Sequence, residues 1–540
     1  MAKRSRSLIP FWLWPGVIAA ALIIGTALLS FFALWHYAPD DGGIKRSLSL
    51  FLQDGYLWHV IRFTFMQAVL STLLSVIPAI FVAQALFRRR FVGRRLLLKL
   101  YAMTLVLPVL VAVFGLLAVY GKQGWLAQLC DWLNLDYAFS IYGLQGILLA
   151  HVFFNLPLAS RLLLQALEAI APEQRQLSAQ LGMNAWQRFR FVEWPVLKRQ
   201  LLPTSALIFM LCFASFAVVL SLGGGPKATT IELAVYQALR YDFDLSRAAL
   251  LALTQMVCCL AIMLFSLRIH SPLPLANSYY GQWYNSGDSI GLKAFDGLII
   301  IAAALFIVPP LLAVVIDGMN VSTIEVLSQT RLWQATLTSI EIALGAAVIS
   351  VALTLMLLWS SRELSAIGQQ RWATRLELSG MTILAMPALV LATGFFLLLI
   401  NSIGIPQSPI FLITVINGLM AVPYTLKVLT QPMYALAQRY TLINRSLGIS
   451  GLNRLRLIEL SALKSPISQA LAFACVLSIG DFGIIALFGN EHFITLPYYL
   501  YELLGAYRSQ YGAVTALVLL VLCFLLFSVI ERLSGRHDQP

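Results

Sequence analysis

Apolar runs of about twenty residues recur along the chain with short polar breaks between them. Twelve runs are placed, centred near residues 24, 73, 109, 149, 211 and 258 and then 305, 346, 390, 418, 478 and 521. Each is long enough to carry a helix across a hydrocarbon layer of about 30 Å at 1.5 Å per residue. The pattern predicts an all-α polytopic membrane protein with about twelve transmembrane helices.

Composition agrees. Of 540 residues, 59% are hydrophobic and 11% are charged, whereas a soluble domain carries about 25% charged residues. The apolar run behind MAKRSRS extends to about Leu34, too long for a signal-peptide core of about 7–15 residues. It is read as a retained first span. The net charge of +13 does not point to nucleic acid, because the basic residues cluster in short segments beside the apolar runs. With the N-terminus inside, about three quarters of the 37 Lys and Arg fall on the cytoplasmic side, FRRRFVGRR (87–95) among them. Both termini are therefore expected in the cytoplasm. The six cysteines, Cys130, Cys212, Cys258, Cys259, Cys475 and Cys523, form no metal-ligand spacing and read as small hydrophobes.

The chain is doubled. At a shift of 266 residues, LGMNAWQRFRFVEWPVLKRQ (181–200) falls on LGISGLNRLRLIELSALKSP (447–466). Gly182 meets Gly448, Arg188 meets Arg454, Arg190 meets Arg456, Glu193 meets Glu459 and Lys198 meets Lys464. The same shift pairs Pro157 with Pro423 and Phe216 with Phe482, and a shift of 265 pairs Tyr236 with Tyr501. LPVLVAVFG (107–115) matches MPALVLATG (386–394), with Pro108 over Pro387 and Gly115 over Gly394. Shared membrane composition explains Leu on Leu, but not Gly, Arg, Glu, Lys and Pro in register. Two similar six-helix halves in parallel topology are expected, residues 1–270 and 294–540, joined by a polar linker at 271–293.

Each repeated segment reads as helix–Gly–helix, with Gly182 and Gly448 suited to a turn at positive φ. Trp186, Phe189 and Val192, and in the copy Leu452, Leu455 and Ile458, recur at helical spacing among basic residues. Such a helix lies on a membrane surface or enters a groove of another protein. Two copies suggest two docking points for a two-fold symmetric partner.

The spacing resembles the signature loop of ATP-binding-cassette importer permeases: Glu-Ala-Ala, three residues, Gly, nine residues, then Ile-x-Leu-Pro. Gly182 leads to Val192-Glu193-Trp194-Pro195, and Gly448 to Ile458-Glu459-Leu460-Ser461. Gln176-Leu177-Ser178 and Leu442-Ile443-Asn444 depart from the Glu-Ala-Ala element, and Ser461 replaces its proline. The resemblance implies a type I importer permease fold. It implies coupling loops at 176–195 and 442–461 that seat in a separate ATPase subunit. The ATPase-coupling positions it marks are Gln176, Gly182, Trp186, Phe189, Val192 and Pro195, with Leu442, Gly448, Leu455 and Ile458 in the copy.

Over its whole length the chain also resembles the fused two-half permeases of bacterial thiamine importers. YLWHVIRFTF (56–65), YGLQGILLAHVFFNLPLASRLLLQALE (142–168), FMLCFASFAVVLSLGGGPKATTIELA (209–234) and ALAFACVLSIGDFG (470–483) carry that likeness. It implies thiamine, and by family its phosphate esters, as cargo across the inner membrane of a bacterium. Two ATPase copies and a periplasmic thiamine-binding protein are the implied partners. The chain has no GxxxxGK[ST], so ATP is expected to be used by the partner. No catalytic group, metal or cofactor of its own is expected.

Asp481 lies in an apolar run and is expected inside a helix near mid-bilayer, where an ionised group costs about 2.5–3.5 kcal/mol on insertion scales. It is a candidate for the translocation path, by attraction of a cation. The competing reading is a structural hydrogen bond to a neighbouring helix. Arg62, His151 and Glu341 are similar but placed nearer to expected helix ends. LGGGPKATTIELAVYQAL (222–239) is read as a turn and short helix near an outer gate. Importers of ferric iron, polyamines or sulfate share the architecture and remain alternatives. So does an ion-driven secondary transporter, although it leaves the repeated Gly-centred loop unexplained.

Overall fold

The computed structural model describes residues 11–38, 53–104, 106–269, 289–402, 409–446, 459–489 and 493–533. The first half is built from α1 (Trp14–Tyr37), α2 (Gly55–Arg88), α3 (Arg94–Met103), α4 (Val109–Tyr120), α5 (Trp125–Trp132) and α6 (Leu144–Glu168). It continues with α7 (Pro172–Gln180), α8 (Ala185–Arg188), α9 (Trp194–Phe213), α10 (Phe216–Leu222), α11 (Ile231–Arg240) and α12 (Leu245–Ile269). The second half has α13 (Ile290–Gly318), α14 (Thr323–Ser328), α15 (Thr330–Ala366), α16 (Gln370–Met381), α17 (Ala388–Ser402) and α18 (Ile410–Ser446). It ends with α19 (Lys464–Gly480), α20 (Gly483–Phe488), α21 (Leu496–Gly505) and α22 (Ser509–Leu533).

Among the described residues, ten helices are long and apolar enough to cross a membrane, and a pair bent by 80° around Ala385–Pro387 makes an eleventh span. The seventeen-residue α19 falls on the remaining predicted run, the eleventh, centred near residue 478. Most of the expected linker, residues 270–288, lies outside the described residues.

Four spans are broken where the sequence pattern predicts continuity. The run centred near residue 109 breaks at Pro108, whose ψ of 136° is non-helical. Proline has no N–H to donate and biases the residue before it away from helix. Its match Pro387 follows an extended Met386, and the same break opens in the second half. The fifth span of each half also breaks, at Ala214–Ser215 and at Asp481–Phe482. Asp481 is thus not inside a helix: its φ and ψ of −69° and 132° are extended. The halves differ elsewhere for a plain reason. Pro172 starts a new helix after Glu168, whereas its counterpart at the 266 shift is Gln438 and α18 runs unbroken to Ser446.

The duplication is structural. Thr64 Oγ1 accepts the N–H of Ile231 at 3.1 Å and so caps α11, while Ser339 Oγ accepts the N–H of Leu496 at 2.8 Å and caps α21. Phe216 and Phe482, one from each half, stack with centroids 6.1 Å apart. Tyr236 and Tyr501 flank them at 5.3 and 4.9 Å.

The first helix of each half crosses to the other half. α1 packs on α15, α16 and α17, and α13 packs on α2 and α4, while each keeps contact with the last helix of its own half. The matched glycines make these crossings possible. A Cβ on Gly115 would strike the carbonyl of Pro310 in α13, and one on Gly394 would strike Ser30 in α1. Small residues let membrane helices approach closely, because lipid supplies no hydrophobic drive between them. Ile18, Leu22, Leu29 and Phe32 of α1 and Leu298, Ile301 and Leu305 of α13 stay exposed as outward apolar faces.

Candidate functional site

The segment after α6 folds as helix–turn–helix. α7 ends in the pattern of a Schellman cap: the N–H of Gly182 reaches Ala179 O at 3.0 Å and that of Met183 reaches Ser178 O at 3.1 Å. Gly182 sits at φ +64°, and a Cβ there would meet nothing. The demand for glycine is therefore conformational rather than steric. Asn184 starts α8 with a capping box, accepting from the N–H of Gln187, whose side chain accepts from the Asn184 N–H.

Beyond the turn, Trp186 and Phe189 are in ring contact at 5.5 Å, and Phe189 meets Trp194 at 5.7 Å. Phe189 and Val192 are half-buried, while Gln176 and Pro195 are exposed. Leu181, Trp186 and Phe191 stand out at 63%, 65% and 63% exposure. An apolar group gathered on a polar, basic loop is the signature of a surface that binds something. In the second half, Leu442 lies in the last turn of α18, and Gly448, Leu455 and Ile458 lie outside the described residues.

Each loop ends on a buried acid. Glu193, 6% exposed, accepts from Arg88 Nη2 at 3.1 Å and from Gln84 Nε2 at 3.4 Å. Glu459, 1% exposed, accepts from Arg362 Nη2 at 2.6 Å. Both arginines stand at the end of the long second span of their half, α2 or α15. Asp296 of α13 joins the first pair, 3.7 Å from Arg88 Nη1 and 2.7 Å from Arg89 Nε. Along the sequence these arginines read only as orienting charge. The available signal was Glu193 over Glu459, an acid kept in register within a basic segment.

A second set of polar groups lies where the halves meet. The Asp481 carboxylate accepts backbone N–H groups of Ile484 and Gly483, and its Oδ2 has no hydrogen-bond partner among the described residues. A Cβ on Gly483 would lie 3.5 Å from the Phe216 ring and 3.9 Å from Asp481 Oδ1, so Asp481 and the stacked rings are neighbours. The matching position in the first half is Ser215. Its Oγ is 2.9 Å from His151 Nε2, and His151 Nδ1 is 2.8 Å from Ser71 Oγ. His151 is thus a buried interior residue well inside α6, whereas Arg62 and Glu341 are exposed on helix surfaces. Glu232, buried on α11, is an electrostatic neighbour of Asp481. Among the described residues neither acid forms an ion pair, and no three His, Cys, Asp or Glu side chains converge as a metal site. Residues 222–239 form the expected turn, with Gly224 and Gly225 at positive φ, followed by the short helix α11.

Residues 71–271 match the protein family described as "Binding-protein-dependent transport system inner membrane component". The chain is 62% identical to the thiamine transport system permease protein ThiP of Escherichia coli (strain K12), over 99% of both chains. It is 61% identical to the protein of that name from Salmonella typhimurium, over 100% of both. To the one from Haemophilus influenzae it is 44% identical, over 97% of this chain and 96% of the other.

Proposed function

The chain belongs to the family of binding-protein-dependent transport system inner membrane components, among the thiamine transport system permease proteins, and from that premise we propose that it is the membrane-spanning subunit of a thiamine importer. The observation that carries this reading is identity along the whole chain rather than over one motif. The paired halves support it, since one chain supplies both walls of a path along their common interface.

The finer reading is as follows. Residues 1–270 and 294–540 form the two halves, with both termini in the cytoplasm. The loops at 176–195 and 442–461 then face the cytoplasm, and each seats on one of two copies of an ATPase subunit. Gln176, Gly182, Trp186, Phe189, Val192 and Pro195, with Leu442, Gly448, Leu455 and Ile458, are the coupling positions. The exposed apolar side chains of the first loop suit a groove on such a partner. A periplasmic thiamine-binding protein delivers cargo to the opposite face. The chain has no phosphate-cradling loop, so it acts as a transport subunit and ATP is consumed by the partner. ATP-driven closure of the ATPase pair moves the two loops and opens the interface outward, and hydrolysis resets it inward. Phe216, Phe482, Tyr236 and Tyr501 close the path at the interface. Asp481 beside them favours a cation in transit. Phosphate esters of thiamine belong to the same cargo class.

The test is uptake of labelled thiamine at low external concentration in cells that neither make thiamine nor hold another carrier for it. Uptake that needs this chain, survives a protonophore and stops on ATP depletion is expected. Unchanged uptake without the chain would overturn the thiamine reading, and iron, polyamine and sulfate uptake would be measured next. Uptake abolished by the protonophore at constant ATP would favour an ion-driven carrier.

A further inference from the structure

We propose that the buried pairs Arg88–Glu193 and Arg362–Glu459 are the mechanical links that deliver each loop's displacement to the long second span of its half. The proposal rests on the reading of the loops as seats for an ATPase.

Placement is the first argument. Glu193 is the last residue before α9, and Glu459 precedes the short helix Leu460–Ala462 that leads into α19, where each loop re-enters the bundle. Arg88 ends α2 and Arg362 lies in the last two turns of α15, and these helices pack along the fourth and fifth spans of their own halves. A loop pushed or pulled at its acid therefore moves a helix packed on two other spans of its half.

The second argument is energetic. A buried ion pair is often no more stabilising than a well-packed apolar pair of the same size, because both charges lose their water. What it adds is a directional, charge-assisted hydrogen bond. At 2.6 Å between groups 2% and 1% exposed, Arg362 and Glu459 form such a bond without competing solvent.

The third argument is repetition against divergence. At the shift of 275 residues that sets Thr64 on Ser339, Arg88 falls one residue from Arg362, while Gln84, which joins the first pair, falls on Trp359. The surroundings of the pair differ between the halves while the pair itself stands in both. Each link is also fastened to the crossing helix of the other half. Asp296 of α13 binds Arg88 and Arg89. Ser360, two residues from Arg362, accepts the N–H of Gly16 in α1 at 2.9 Å. Motion of either loop is thus shared across the interface.

The experiment uses the full complex of this chain, its ATPase and its thiamine-binding protein in lipid nanodiscs and liposomes. Two quantities are read: thiamine moved per ATP hydrolysed, and stimulation of ATPase by the loaded binding protein. Glu459→Gln and Glu193→Gln are expected to assemble with the ATPase but to lower both readouts at least tenfold. The reversed pair Arg362→Glu with Glu459→Arg is expected to recover a third or more of the wild-type ratio. The apolar pair Arg362→Met with Glu459→Met keeps a packed interior and is expected to stay uncoupled. Wild-type ratios in the Gln variants or in the apolar pair would overturn the link. So would assembled reversed-charge protein with no recovery. Wild-type complex that moves no thiamine would instead overturn the cargo reading, and the link would then be decided by ATPase stimulation alone.

Discussion

Gly394 sets how closely α1 of one half lies on α17 of the other. A Cβ added there lies 2.7 Å from both Cα and Cβ of Ser30 and closer still to its hydroxyl. Ordinary carbon contacts are about 3.5–4.0 Å, so Gly394→Ala must displace α1 by roughly 1 Å. Overpacking of this kind costs about 1–3 kcal/mol. The displacement also loosens the bonds from Ser30 Oγ to Val390 O at 3.4 Å and Leu391 O at 3.3 Å. Interhelical hydrogen bonds in membranes average about 0.6 kcal/mol. Against this, Ala gains up to about 1 kcal/mol over Gly in a helix interior. Gly25 on α1 supplies the control, since a Cβ there meets nothing within 4 Å. Gly25→Ala keeps the propensity gain without the clash. The two variants should therefore differ by about 2–4 kcal/mol. Unfolding by SDS titration in mixed micelles, followed by helical circular dichroism, measures that difference. Unfolding free energies within about 0.5 kcal/mol of each other would refute the claim that this glycine sets the crossing, since surface changes alone fall in that range.

Thr64→Val and Ser339→Ala each leave the first N–H of a buried helix without its acceptor, and each should cost about 1–3 kcal/mol in the same titration. The sites are in different halves, so the double variant should show the sum to within about 0.5 kcal/mol. Arg362→Met alone breaks the buried pair with Glu459 and should cost about 3–5 kcal/mol, whereas Arg362→Met with Glu459→Met should be near neutral. Gly182→Val forces a branched residue to φ +64° at about 1–2 kcal/mol. It should weaken co-purification of the ATPase, while the SDS titration shows a loss no larger than that local strain. Asp481→Asn should raise the KM for thiamine uptake several-fold with assembly intact, and an unchanged KM and rate would return Asp481 to a purely structural role.

Much of the protein is legible without coordinates. The membrane spans, the doubling and the turn after α7 follow from quantities local to the chain. Transfer free energy marks each apolar run, Lys and Arg mark its flanks, and glycine or proline marks where helix geometry must fail. Gly182 belongs to this class, since the need for positive φ arises within a few residues. So does Pro108, although the hydropathy pattern does not show its consequence, a span broken at its predicted centre. The break at Asp481 is different: an apolar run reads the same whether its helix is continuous or stops for two residues.

Tertiary structure alone decided which helices meet. The apolar spans are hydrophobic all round, so no amphipathic stripe along the sequence names a neighbour, as it does in a soluble helix. Partner choice rests instead on close fit at small residues and on a few buried polar contacts. That is why the crossing of α1 and α13 into opposite halves, the Gly394–Ser30 contact and the capping of α11 by Thr64 emerge only in three dimensions. The arginines at 88 and 362 make the same point. Along the chain they are orienting charges, and only the packing of α2 and α15 against the loops brings each onto a buried glutamate about a hundred residues away.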